Sequence, residues 1–383
     1  HPAGDACWHL SVSRFIAENS RIPFLEPFGI SEREVFAAPP LYHIITAAVY
    51  KIFSLLSIPA AEFAIKFVSP LFGTLSLPFV FLLGRKLFNS RIGFFATLFV
   101  AFLPLHINAS VISFVESLAL FLAVISVYLL FCRRIYLSAV FMGLGLMSKQ
   151  HMFFVLPLFF VVLFVYYRRQ LRIFLSKSAV SGLIMGVIGL PWFIRNYVLL
   201  GNPLWPYLYK ILGGKIVSHV PNFSVASAFF PLHAARFYLE SFGAPLGSLA
   251  ALSFVHIPFS GFFVAGWLAA TLVFFFPVVV GLFFIKKHRS LIFGWIALFL
   301  VALVLYIMNT GGTQARLFLP ALPALAIMWA VGFDKLLVKV RNLQLLNLSA
   351  SFIVIAIVVG GAFAFSAVEA AKAIVGANEW AKY

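Results

Sequence analysis

Read along its length, the chain alternates long apolar runs with short basic punctuation. Runs from about Phe63 to Leu83, Ile92 to Leu105, Ser113 to Phe131, Met152 to Tyr167, Ala179 to Phe193, Phe262 to Ile285, Ile292 to Met308, Leu317 to Val331 and Leu345 to Ala367 each predict a membrane-crossing helix. One run breaks the pattern. Tyr136 to Ser148 is only 13 residues, about 20 Å of helix against a hydrocarbon core of about 30 Å. It cannot cross unless its far end, where Lys149, Gln150 and His151 follow, sits in a depression. Leu41 to Leu56 is apolar but interrupted by His43 and Lys51, which predicts a helix lying along the membrane surface. Two stretches read as large polar loops: the opening, through Ala38-Pro39-Pro40-Leu41-Tyr42-His43, and a Pro- and Gly-containing segment from Pro203 to about Ser260, partly embedded in the interface.

The sides of the bilayer follow from charge. The connections holding Arg85, Arg133, Arg168, Lys286 and Lys335 carry 15 of the 28 Lys and Arg residues, with Asp334 as their only acid. By the positive-inside rule these five connections face the cytoplasm and the opening loop faces out. Composition agrees with a polytopic membrane protein: 63% of the 383 residues are hydrophobic, 10% are charged and 47 are Phe. The net charge of +17 lies in short clusters between apolar runs and forms no continuous stripe, so nucleic acid is not the expected partner. Cys7 and Cys132 fall on opposite sides and do not pair. The chain opens directly on a polar segment and closes on Ala377-Asn378-Glu379-Trp380-Ala381-Lys382-Tyr383. A first transmembrane helix is expected to precede it and a polar region to follow, with residues 1–383 as one transmembrane domain. The expected fold class is an all-α helical bundle whose outer loops bear interfacial helices.

Acid is scarce and concentrated. Asp5, Glu18, Glu26, Glu32 and Glu34 are five of eleven acidic residues and lie in the opening stretch. Asp5 and His9 are four apart and share a face on a helix, which suits a base with a helper or a metal ligand and also suits ordinary loop polarity. Glu116 stands at the outer end of an apolar run, where an ionised carboxylate costs about 2.5 to 3.5 kcal/mol at the bilayer centre, so it needs a reason. Lys149, Arg195 and Arg316 are the outer-side cations next to span ends. They fit a lipid phosphate, which Arg binds as a fork and Lys as a point charge, and they also fit helix-end compensation. His43, His106 and His151 read as satisfied interfacial histidines.

The ordered set Gly4-Asp5-Ala6, Ala17-Glu18, Arg21-Ile22-Pro23, Pro39-Pro40-Leu41-Tyr42-His43, Glu116, Pro191-Trp192, Arg195-Asn196, Gly201-Asn202-Pro203 and Arg316-Leu317-Phe318-Leu319-Pro320 with Pro323 resembles GT-C glycosyltransferases. Within them it is most similar to the family 39 group of protein O-mannosyltransferase-like and lipid A aminoarabinose transferase-like enzymes. The resemblance implies that Asp5 is the catalytic base, with Glu116 in the same machinery. It implies a sugar donor on a polyprenyl or dolichyl phosphate, held by Arg316, Lys149 and Arg195 with His9 and His43 alongside. Ala6 stands where members often carry a second acid, and Ala37-Ala38 where some carry Glu-Lys, so a metal site of that type and that phosphate-binding lysine do not carry over. No cofactor is dictated, and a divalent metal is admitted without being required. The Trp-Trp-Asp-Tyr-Gly signature of oligosaccharyltransferases is absent, which argues against en bloc transfer.

The implied activity is glycosyl transfer on the extracytoplasmic side of the cell membrane, to a hydroxyl of a protein, glycan or lipid. A transporter or flippase of polyprenyl-linked sugars would line a path with the same residues, but repeats and broken midplane helices are not evident. A noncatalytic membrane subunit is the third reading.

Overall fold

The structure, a computed structural model, describes residues 5–24, 36–205, 212–214, 275–310 and 315–342. Among these residues every regular element is helical. In chain order they are α1 (Asp5–Asn19), α2 (Leu41–Phe53), α3 (Ile58–Ile65), α4 (Val68–Leu87), α5 (Ser90–Phe102), α6 (Pro104–Val111), α7 (Glu116–Phe131) and α8 (Ile135–Leu146). A 3₁₀ turn (Gln150–Val155) leads into α9 (Leu156–Tyr167), followed by α10 (Leu171–Leu200), α11 (Phe275–Phe284) and α12 (Arg289–Thr310). A second 3₁₀ turn (Ala315–Ala321) leads into α13 (Leu322–Asn342). Among the described residues five helical runs are long and apolar enough to cross a membrane, and a sixth if α5 and α6 are one bent span. The expected span Leu345 to Ala367, most of Phe262 to Ile285 and most of the second large loop lie outside the described residues.

Local chemistry explains most boundaries. Asn89 caps α5 by accepting the Ile92 amide at 2.9 Å, and the α4–α5 turn is close-packed because a Cβ on Gly84 would sit 2.7 Å from Gly93 Cα. Pro104 ends α5 and starts α6 at a 59° bend. Ser126 and Ser138 exchange side-chain to backbone hydrogen bonds, at 2.9 and 2.7 Å, across the α7–α8 seam. This satisfies both hydroxyls where no water reaches. The half-length helix is present as α8, 12 residues long.

Four expectations need correction. The opening is no loop between Asp5 and Asn19: Trp8, Val12 and Ile16 recur every four residues and pack with Phe36 and Trp192, so this stretch is helical. The span expected to end at Phe193 continues through Pro191 to Leu200 and stops at Gly201, whose φ of 74° closes the helix. The run expected to begin at Leu317 starts as a 3₁₀ turn that contains Pro320 and becomes α-helical only at Leu322. Asp334 and Lys335 therefore lie within α13, which runs to Asn342, and not in a loop.

The two ends of the bundle differ chemically. At one end Arg91 meets Asp334 at 2.7 Å, Phe88 and Phe131 both face His288, and Arg133 lies over Tyr166. The basic connections are thus brought together as charge sorting requires. At the other end α1 packs along α2, and three breaks in the helical pattern meet: the turn before α7, the extended residue between α8 and the first 3₁₀ turn, and the second 3₁₀ turn.

Candidate functional site

Each of those three breaks delivers one charged side chain. Glu116 is the first residue of α7 and only 1% exposed. The partial positive charge of the helix N-terminus favours a carboxylate there. Lys149, extended at φ −157° after α8, reaches back to form a close ion pair with Glu116 Oε1. Arg316, in the second 3₁₀ turn, brings Nε to 3.3 Å from the same oxygen. Both cations are 16% exposed, and the Arg316 guanidinium lies over the Phe114 ring at 4.1 Å. Glu116 Oε2 is buried without a hydrogen-bond partner. One carboxylate therefore orders two cations and keeps one oxygen available to accept a hydroxyl.

α1 and α2 bring the histidines against this group. His9 Nδ1 and His43 Nε2 are 2.9 Å apart, and Trp8, Phe36 and Tyr42 surround them edge-on. Burial lowers the His9 pKa to about 3; Glu116 pulls it up, and Lys149 and Arg316 push it down. Burial, and then His9 itself, holds His43 well below its ordinary value. Both imidazoles are neutral near pH 7. The Tyr42 hydroxyl pairs with Ser69 Oγ at 2.9 Å, which in turn donates to the Phe114 carbonyl. This ties α2 to the turn that positions Glu116. Asp5 is the first residue of α1, and its side chain lies outside what the structure describes.

Arg195 is placed differently. It sits on α10, where its guanidinium donates to the Phe36 carbonyl at 2.8 Å, to Asn196 Oδ1 at 3.1 Å and to the Pro23 carbonyl at 3.4 Å, and stacks over Trp192 at 4.3 Å. The neighbouring Ala37 carbonyl accepts from Trp192 Nε1 at 3.1 Å, Asn196 Nδ2 at 3.1 Å and Gln150 Nε2 at 3.4 Å. α10 thus clamps the backbone of residues 36–37, and the Leu41 amide then donates to the Met147 carbonyl at 2.9 Å. The clamp lays the start of α2, and with it His43, against the break that presents Lys149. Glu116, Lys149, Arg316, His9 and His43 come together, whereas Arg195 is engaged with the adjoining backbone.

Sequence reasoning reads His151 as ordinary interfacial polarity, yet it is buried, lies two residues after Lys149, and its ring is 6.1 Å from that of Tyr306. Gln150 and Phe114 were also overlooked. Only the run Lys149-Gln150-His151 at the tip of the short helix hinted at the first two. Among the described residues no group of three His, Cys, Asp or Glu side chains is arranged to hold a metal ion.

Residues 37–194 match the family described as dolichyl-phosphate-mannose-protein mannosyltransferase. Comparison with curated protein sequences gives no match. Among solved structures, the chain is similar to ArnT from Cupriavidus metallidurans in the apo state, with TM-score 0.56 and 16% identity over 98% of this chain and 71% of that one. ArnT bound to undecaprenyl phosphate superposes similarly, with TM-score 0.55, 15% identity and the same coverage. The archaeal oligosaccharyltransferase AglB from Archaeoglobus fulgidus, in complex with an inhibitory peptide and a dolichol-phosphate, gives TM-score 0.53 and 13% identity over 95% of this chain and 51% of that one. The fold is that of the GT-C membrane glycosyltransferases. Over residues 37–194 the chain is thus similar in sequence to the mannosyltransferase family, and in overall fold it is similar to ArnT.

Proposed function

We propose that this chain transfers a hexosyl or pentosyl group from a polyprenyl- or dolichyl-phosphate carrier to an acceptor hydroxyl of a protein, glycan or lipid. The reaction takes place at the end of the bundle opposite the basic connections, which by charge sorting is the outer face of the cell membrane. The observation that carries this reading is the convergence of Lys149 and Arg316 on Glu116 at that end. The family match over residues 37–194 and the carrier-bound state of ArnT support the same donor chemistry.

The chemistry balances without a nucleotide. The acceptor oxygen attacks the anomeric carbon, and the bond from that carbon to the phosphate oxygen breaks. The acceptor proton passes to the Asp5 carboxylate, one helical turn before His9 on α1. The lipid phosphate leaves with one more negative charge than it had as a diester. Arg316 and Lys149 meet that developing charge in a largely dry site, where preorganised cations act most strongly. Glu116 keeps the two cations at a fixed separation, and its second oxygen accepts a sugar or acceptor hydroxyl. The neutral His9–His43 pair gives α1 a fixed register on α2, so that the base meets the donor in one geometry.

The test is a purified preparation given radiolabelled polyprenyl-phosphate sugar, followed both for transfer to acceptors and for movement of label across liposomes. Transfer that is lost in Asp5→Asn while donor binding persists is the expected result. Label movement without transfer would make the chain a carrier of lipid-linked sugars. Neither activity, with carrier binding intact, would make it a noncatalytic subunit.

A further inference from the structure

The opposite end of the bundle holds a cluster that sugar transfer does not use. Between Glu116 and Glu240 the sequence contains no acidic residue, and Arg133, Arg134, Arg168, Arg169, Arg172 and Lys177 fall in that stretch. The ends of α7 and α9 and the start of α8 and α10 bring these cations to one rim. Arg133, with φ 62°, lays its guanidinium over the Tyr166 ring at 3.4 Å and lies 5.9 Å from the centre of Tyr167. Lys177 on α10 places Nζ 5.6 Å from the same Tyr167 ring and 5.3 Å from Tyr136 on α8. Among the described residues none of the six cations is in an ion pair. Exposed Leu137, Leu171 and Leu175 flank the rim.

Positive-inside sorting requires cations in these connections, but it does not require them to be fixed on rings supplied by several helices. Ring contacts restrict two long side chains that would otherwise spread their like charges into solvent. Ordered cations beside exposed apolar side chains match a ligand with an anionic head and hydrocarbon tails. We propose that this rim binds an anionic phospholipid of the adjoining leaflet, with its phosphate diester within reach of Arg133 and Lys177 and its acyl chains along Leu137, Leu171 and Leu175. The lipid fastens the seam between α8, α9 and α10 at the end remote from the Glu116 group, and the inference is independent of the reaction catalysed there.

Native mass spectrometry of the full chain in detergent tests this with phosphatidylglycerol, phosphatidylethanolamine and glycerol 3-phosphate. Phosphatidylglycerol is expected to be retained in preference to phosphatidylethanolamine, with glycerol 3-phosphate, which lacks the chains, retained far less. Removing two cations in R133Q/K177Q is expected to weaken phosphatidylglycerol retention roughly 30-fold. R85Q/K86Q takes the same charge from the same end and is expected to leave retention unchanged. Tyr167→Leu keeps every cation but removes the shared ring, so it is expected to weaken retention too, and it serves if the double variant fails to fold. Equal loss in R85Q/K86Q, equal retention of phosphatidylethanolamine, glycerol 3-phosphate binding as tightly as the lipid, or wild-type retention in Tyr167→Leu would each overturn the proposal.

Discussion

Replacing Arg316 by alanine removes two contacts at once: the 3.3 Å ion pair with Glu116 and the stacking over Phe114 at 4.1 Å. Deleting one partner of a buried ion pair costs about 3–5 kcal/mol. Here Lys149 stays on the same carboxylate oxygen and the arginine is 16% exposed, so the loss of folding stability falls at or below the lower limit, about 3 kcal/mol. The effect on the donor is separate. A hydrogen bond to a charged group is worth about 1.5 to 3 kcal/mol, so Kd for a polyprenyl phosphate should rise by about 10- to 150-fold. Arg316→Lys keeps the charge and loses the planar fork. Its Kd should rise less than that of the alanine variant, and its stability should stay nearer to wild type. Equilibrium binding of polyprenyl phosphate in detergent, paired with thermal unfolding of each variant, measures the two effects independently. Wild-type donor affinity in Arg316→Ala, combined with a lower melting temperature, would refute the reasoning: Arg316 would then serve only to hold Glu116, and Lys149 would be the next candidate.

Four further expectations follow from the proposed roles. Asp5→Asn should lower turnover by about 100-fold or more with donor affinity close to wild type, as read by steady-state kinetics beside binding. Glu116→Gln keeps the shape but removes the charge that orders Lys149 and Arg316, so specific activity of the folded fraction should fall further than the melting temperature does; retained specific activity would make the residue structural. Arg195→Ala should leave the Phe36 carbonyl without its 2.8 Å donor and cost about 1–3 kcal/mol of stability, with a smaller change in donor affinity than Arg316→Ala shows. His9 has a folded-state pKa of about 3 against an ordinary 6.5, so the unfolded chain takes up its proton first. Its contribution to stability is fully present above pH 6.5 and is lost as pH falls toward 3, and His9→Gln should flatten that part of a stability–pH curve by up to about 1.4 kcal/mol per pH unit.

Much of the architecture is written locally in the chain. Whether a segment enters a bilayer depends on its own side chains, because each residue meets lipid or water whatever its distant neighbours do. The half-length helix before Lys149, the helix carrying His43 and the shared end of the basic connections were all legible for that reason. Helix continuity was less so. Pro191 and the sparse apolar positions of Asp5–Asn19 look like interruptions until packing against Phe36 and Trp192 is known, and a protein interior can support a helix that local propensity would end.

The site depended on tertiary structure. Glu116, Lys149, His9 and Arg316 could each be suspected from residue type and sidedness, but nothing local tells that Arg316, far along the chain, and Lys149 would grip one carboxylate oxygen. The same holds for Arg195, which by residue type is equally good for a phosphate and is instead turned by α10 onto the backbone of residues 36–37. Hydropathy and charge act through each residue's immediate surroundings and can be read from the sequence. A three-residue ionic contact depends on distances set by the packing of every helix between its members, and those distances exist only once the bundle has formed.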